Sequence, residues 1–258
     1  MALEFLSGTE RQQQILRSLG RQKRISVGEI CEQFSVSEAT ARRDLESLAE
    51  QGKLQRVHGG AIPVEQAPPE LPILERESEQ PDEKMRIGSA AAHLIADNET
   101  VFLGSGTTIL EVARNLRNRR NLTVITNSLP VLNTLTGLDG VTVVSLGGML
   151  RNSELSFIGH ITEQALTEVR ADKVFMGARG VSLEHGLTND YLEETKTDRA
   201  ILNIGREVII VADHTKVNRV ATAFLASLDN VHTLVTDNKA DKEFIKAIKK
   251  QGITVVLA

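Results

Sequence analysis

Two short stretches hold residues whose type and spacing suit binding chemistry. The first is SVSEATARRDLESLAEQGKLQRVHGG, residues 35–60. Ala41, Leu45 and Leu48 recur at helical spacing, so Glu38, Thr40, Arg42 and Arg43 are left free at the start of that helix, with Ser37 as its N-cap. An arginine fork there can donate two parallel hydrogen bonds to a guanine edge or to a phosphate. The second stretch is Gly104-Ser105-Gly106-Thr107-Thr108, which closes an apolar run and opens a helical pattern. Glycines let the backbone approach an anion, helix-start N–H groups point at it, and hydroxyls add donors.

Each stretch needs elements to hold it in place. Ser26 with Glu29 three residues on predicts a capping box and a helix from Val27, with Ile30 and Phe34 on one face. A second helix follows Ser37 and stops at Gly52. Two helices joined by so short a turn form a helix-turn-helix, whose second helix can enter a major groove. The alternation of Leu54, Arg56 and Ala61-Ile62 about His58-Gly59-Gly60 then predicts a wing, with Lys53, Arg56 and His58 set to touch the sugar-phosphate backbone. A helix over Thr9–Leu19 and a short strand at Ile25 close this small core. The plainer reading is an ordinary helical hairpin with a solvated Arg42-Arg43 pair.

Residues 65–81, with four prolines and five glutamates, break every periodicity and are expected to be a linker between a domain at 1–64 and one at 82–258. Beyond it, strands are expected at 101–103, 123–126, 142–146, 173–176, 208–211, 233–236 and 254–257. Helices are expected at 82–95, 108–116, 130–135, 161–169, 191–204 and 242–250. This alternation predicts an α/β domain with a largely parallel sheet covered on both faces. Ligands of such sheets settle at the C-terminal strand ends. There the chain offers Ser105, Gly106, Thr107 and Thr108, then Thr126-Asn127-Ser128, Gly147-Gly148 and the loop Gly177-Ala178-Arg179-Gly180. Lys216 follows a further strand. Together they predict a pocket for a small polar anion, a phosphate first, although βα turns use such residues routinely.

Composition bounds the alternatives. The chain has 258 residues, 41% of them hydrophobic, no Trp and a net charge of −4. Residues 1–64 carry nine Lys and Arg against eight Asp and Glu, and the remainder carries 21 against 26, so DNA contact is expected through one placed surface. A single cysteine, Cys31, allows no internal disulfide and fits a reducing cytoplasm. No signal peptide or bilayer-spanning run is visible. Ile109 stands where a dinucleotide fingerprint needs its third glycine, no G-K-[ST] loop is present, and the histidines share no metal-binding spacing. No cofactor, metal or membrane partner is expected.

ERQQQIL, SVGEICEQFSVSEATARRDLESLAEQGKLQRVHGGAI, FLGSGTT, LTVITNS, SLGGMLR, ADKVFMGARGV, HGLTND and ADHTK, in this order, resemble the DeoR-type bacterial transcriptional repressors. The resemblance implies a winged helix-turn-helix reader of an operator and a C-terminal domain similar in fold to ribose-phosphate isomerase. It further implies sensing of a phosphorylated sugar, control of a sugar catabolic operon, and a homo-oligomer, a dimer or tetramer. Many relatives carry an acidic residue where Gly104 stands. The related isomerases place paired carboxylates in the loop that is Gly177–Gly180 here, so the base an isomerase needs is missing and no catalytic residue is expected. The rival reading is a sugar-phosphate isomerase-like enzyme with a DNA-binding appendage. An activator is indistinguishable from a repressor at this level.

Overall fold

The computed structural model describes residues 8–22, 24–50, 54–57, 59–63 and 72–258. They fall into two compact units, Met1–Glu65 and Gln66–Ala258.

The first unit runs α1 (Gly8–Gln22), β1 (Ile25–Ser26), α2 (Val27–Phe34), α3 (Glu38–Glu50), β2 (Leu54–Val57) and β3 (Gly60–Pro63). The expected capping box forms: Ser26 Oγ accepts from Glu29 N at 3.2 Å, and Ser26 N donates to Glu29 Oε2 at 2.6 Å. α2 ends at Ser35, whose positive φ turns the chain sharply into α3. Ile15, Leu19, Ile30, Ala41, Leu45 and Leu48 bury the common face of the three helices. Cys31 is half-buried beside them. β3 lies between β1 and β2 in an antiparallel sheet, so β2 and β3 make the expected wing. Arg11 of α1 donates to Asp44 of α3 at 2.6 Å, a mostly buried pair that no periodicity announces.

The second unit begins with α4 (Ile73–Arg76) and α5 (Pro81–Ala92), followed by β4 (Thr100–Leu103), α6 (Thr107–Arg114), β5 (Leu122–Thr126), α7 (Leu129–Leu135) and β6 (Val141–Ser145). A hairpin of β7 (Met149–Arg151) and β8 (Ser156–Ile158) comes next, then α8 (His160–Thr167) and β9 (Ala171–Met176). β10 (Gly180–Ser182), β11 (Gly186–Asn189), α9 (Leu192–Leu202), β12 (Gly205–Val211), β13 (Ala223–Ala226), β14 (Thr233–Thr236), α10 (Lys242–Lys250) and β15 (Thr254–Leu257) complete it. The expected strands form one parallel sheet in the order β15-β14-β12-β9-β4-β5-β6.

Alternate residues of each central strand enter opposite cores. Val101 and Leu103 pack with Ile87, Ile109, Val112 and Val131 of α5, α6 and α7. Phe102 and Val174 pack on the other side with Leu166, Ile201 and Phe244 of α8, α9 and α10. A sheet buried on both faces reads as continuous apolar runs, which is why its strands are visible in the sequence. The small sheet β10-β11-β13 and the β7–β8 hairpin are not anticipated, being short and sided by polar residues.

The later part of the segment expected to be a linker is folded. Ile73 is buried, its N–H donates to the Ser153 carbonyl at 2.7 Å, and Arg76 is buried against Glu154. Among the described residues no helix is long and apolar enough to cross a membrane, and no group of three or more His, Cys, Asp or Glu could hold a metal ion.

α5 and α6 touch at Gly88. A Cβ there would stand 2.7 Å from the Glu111 carbonyl carbon, and backbone cannot yield as a side-chain tip does. Helix propensity favours alanine over glycine by about 1 kcal/mol, whereas overpacking costs about 1–3 kcal/mol. Gly88→Ala is therefore expected to lower stability in urea unfolding. An unchanged or raised midpoint would show that the two helices separate freely.

Candidate functional site

The start of α3 is built to present charge. Ser37 Oγ accepts from Thr40 N at 3.3 Å and lies 3.0 Å from Thr40 Oγ1, so both hydroxyls are occupied in the cap. Glu38 and Arg42 form an exposed pair at 3.1 Å, and Arg43 is exposed beside them. An exposed pair of this kind is worth at most about 1 kcal/mol, so Arg42 is easily recruited by another anion. Arg56 of β2 donates to the Arg42 carbonyl at 3.1 Å, which ties the wing to the helix it flanks. Lys53 and His58 lie outside the described residues.

In the second unit a narrow cleft of about 80 Å³ opens at the C-terminal ends of β4, β9 and β12. Ser105, Gly106, Thr107 and Thr108 form one wall. Gly106, at φ 112°, is the N-cap of α6, and no side chain caps the helix. Its first N–H groups and positive dipole end therefore face the cleft uncapped by protein. Gly177 and Arg179 line the floor, and Lys216 enters from a 3-10 turn after β12. Asp213 Oδ1 shapes that turn by accepting from Thr215 N at 2.9 Å. Burial pushes the Lys216 ammonium below its ordinary pKa, against the opposing pull of Asp213. Burial likewise lowers Lys84 of α5, which lines the same cleft.

Six of the expected residues are not brought to the cleft: Thr126, Asn127, Ser128, Gly147, Gly148 and Gly180. The β7–β8 hairpin explains part of this, because it docks on the end of β5. Phe157 N donates to the Asn127 carbonyl at 2.7 Å, and Asn127 Nδ2 returns a bond to Phe157 O at 3.1 Å. Thr126 Oγ1 accepts from Ser128 N at 3.0 Å, and Ser128 caps α7. The Gly147 carbonyl accepts from Thr162 Oγ1 at 2.8 Å, and any Cβ on Gly148 would strike that hydroxyl. Gly180 opens β10 against the backbone of Arg219. Gly148 and Gly180 are positions of close packing, whereas a Cβ on Gly147 would meet nothing within 4 Å.

Other residues reach the cleft without local notice in the sequence. Arg76 and Lys84 come from α4 and α5, Glu154 from the hairpin turn, and Asp190 from the end of β11. Glu194 and Asp198, spaced i,i+4 on α9, were the one readable signal among them. The cleft is thus not poor in carboxylates, although the Gly177–Gly180 loop is. These four carboxylates are engaged, while Glu79 also lines the cleft. Asp190 accepts from Arg179 Nε at 3.1 Å, Asp198 from Asn189 Nδ2 at 2.8 Å and Glu194 from Ser156 Oγ at 2.6 Å. Glu154 pairs with Arg76, and Arg151 also pairs with Glu194.

Both units of the chain match known proteins in sequence. The model of the DeoR-like helix-turn-helix domain matches residues 11–67, and that of the DeoR C-terminal sensor domain matches residues 79–238. The chain belongs to the DeoR family. The transcriptional repressor AccR of Agrobacterium fabrum is 36% identical over 91% of this chain and 91% of its own. The regulator IolR of Bacillus subtilis is 32% identical over 91% and 93%, and the glycerol-3-phosphate regulon repressor of Escherichia coli 35% over 89% and 90%. Among solved structures, ribose 5-phosphate isomerase A of Methanocaldococcus jannaschii aligns over 54% of this chain and 55% of its own, at 19% identity and a TM-score of 0.40. Nearly all of the cleft lies inside the matched DeoR sensor domain, but Arg76 precedes it.

The lowered Lys216 pKa sets a pH dependence. An oxyanion in the cleft favours the charged amine, so affinity is full below the folded pKa of Lys216 and declines as pH rises through it. Titrating inorganic phosphate by calorimetry above neutral pH should show affinity falling below lysine's ordinary range. Lys216→Arg, which stays charged, should flatten the fall. An identical pH profile in the two proteins would remove Lys216 from the anion's contacts.

Proposed function

We propose that this DeoR-family chain is a sequence-specific repressor of a carbohydrate catabolic operon, released from or held on its operator by a phosphorylated sugar bound in the sensor domain. The observation that carries this reading is the convergence of the uncapped start of α6 with Arg179 and Lys216 in one cleft. An anion gains from each of them: N–H donors and dipole from the helix, charge from the side chains. The carboxylates around the cleft suit the other end of such a ligand, since they accept hydrogen bonds from sugar hydroxyls. IolR and the glycerol-3-phosphate regulon repressor are regulators by name, and their sequences run alongside this one for nearly its full length.

The reading unit would dock α3 in the major groove, with Glu38, Thr40, Arg42 and Arg43 toward base edges or flanking phosphates and Arg56 on the backbone beside them. Lys53 and His58 are assigned to the same backbone contact on sequence grounds. A single head contacts too few base pairs to select one operator, so a homo-oligomer, dimer or tetramer, is part of the proposal. No enzymatic turnover is proposed. Asp190, Asp198 and Glu194 are tied to arginine, asparagine and hydroxyl partners, which favours binding over proton abstraction at these three.

Replacing Arg42 and Arg43 together by Ala should weaken operator binding with the fold intact, each base-contacting Arg being worth about 1–3 kcal/mol. Unchanged binding in a gel-shift titration would remove α3 from the interface. Screening phosphorylated metabolites by thermal shift identifies the effector, because a ligand that binds only the folded state raises its stability. With that ligand, Lys216→Ala and Thr107→Val should leave operator binding near normal and weaken the effector by about 1.5–3 kcal/mol. Release of DNA by both variants at wild-type effector concentrations would place the site elsewhere, and turnover of any sugar phosphate would favour the isomerase-like alternative. The residues at 72–81 pack on the second unit, so oligomeric state is best measured by light scattering on Gln66–Ala258. A monomer at micromolar concentration would count against assembly through this unit.

A further inference from the structure

The segment from Pro72 to Gln80 is fastened to one hairpin turn by two links. Ile73 N donates to the Ser153 carbonyl at 2.7 Å, and Arg76 pairs with Glu154 one helical turn later. Both partners of that ion pair are buried, Arg76 being 8% exposed and Glu154 4%. Lys84 of α5 holds the Arg76 carbonyl from below. Ser153 and Glu154 belong to the turn that joins β7 to β8, where Glu154 N donates to Arg151 O at 3.3 Å. The same carboxylate overhangs the anion loop: a Cβ built on Gly106 would stand 3.8 Å from Glu154 Oε1. Arg76, Glu154 and the start of α6 therefore share one small space.

That space does not suit two anions. An oxyanion on the Ser105–Thr108 loop would meet the Glu154 carboxylate at short range and repel it. Beside both stands the Arg76 guanidinium, whose planar fork matches a phosphate as well as a carboxylate. A buried carboxylate and guanidinium separate at great cost unless a new partner replaces the old one. A bound oxyanion is such a replacement for Arg76.

We propose that Arg76 is a positioning residue of the sensor: an oxyanion bound at Ser105–Thr108 takes the Arg76 guanidinium from Glu154 and so unfastens residues 72–80 from the β7–β8 turn. This rests on the reading of the loop as an oxyanion site. It gives roles to two residues that contribute nothing to the loop itself. Glu154 holds the empty state and disfavours anions that cannot displace it, and Arg76 converts occupancy into a change in the chain that follows the reading unit in sequence. The connection is a competition between two partners for one cation.

The full-length chain and inorganic phosphate test it. Binding is read by phosphorus-31 line broadening, and the tether by amide exchange of the peptide spanning residues 73–80. Phosphate is expected to bind the wild type and to speed exchange in that peptide by about tenfold or more, as expected on losing an ion-pair link. Glu154→Gln, close in shape to the original, should show fast exchange without phosphate and bind phosphate more tightly. Arg76→Gln should bind it about tenfold more weakly, with exchange that no longer responds. Phosphate binding to the wild type with exchange of 73–80 unchanged or slowed would overturn the coupling and leave the loop's assignment standing. Failure of phosphate to bind wild type and Glu154→Gln alike would remove the loop's assignment, and the coupling with it.

Discussion

A buried charge must have a partner, and the cleft of the second unit is organised by that requirement. Arg76, Lys84, Arg179 and Lys216 are gathered with Glu154, Asp190, Glu194, Asp198 and Asp213 above the ends of the central strands. Each ion taken out of water costs several kcal/mol, recovered only through close oppositely charged neighbours and hydrogen bonds. The neighbours come from α4, α5, α9, the hairpin turn and the end of β11, so these separate pieces of chain are bound to one another through the cleft. Burial lowers the pKa of Lys84 and of Lys216, because part of their hydration is lost. At low local dielectric, charges gathered in this way interact more strongly with one another than the same groups would in water.

The reading unit obeys a different constraint. It is small, so its core is shared among three helices and a short sheet, with the Arg11–Asp44 pair at the edge of that core. Both leucines of α3 are spent inward, Leu45 and Leu48, together with Ala41, while Ala39 is exposed. The polar positions that remain at its start are the ones a DNA duplex can meet, and the wing is held against the same helix by Arg56. Membership in the DeoR family explains why this unit and a sensor domain occur on one chain, since the family's sensor-domain model covers residues 79–238 and its helix-turn-helix model residues 11–67.

The sequence by itself determined the secondary structure that depends on local order. The Ser26–Glu29 capping box, the burial of Ala41, Leu45 and Leu48, and the seven strands of the parallel sheet follow from spacing, because caps and periodic burial act over a few residues. It also marked Ser105–Thr108, Arg179 and Lys216 as cleft residues, since they sit at strand ends whose place in an α/β sheet is fixed by the fold class. What only the tertiary structure decided is which strand ends stay open. The β7–β8 hairpin docks on the end of β5 through Asn127, while Thr126 and Ser128 are used in the local turn and the cap of α7, and the ends of β4, β9 and β12 line the cleft. Prolines and glutamates surround Arg76 in the sequence and give it the look of a linker residue, whereas it is buried against Glu154, 78 residues away. No local pattern carries that distance: a charge pair is set by where two chain segments meet, and that is decided when the sheet and its cover close together.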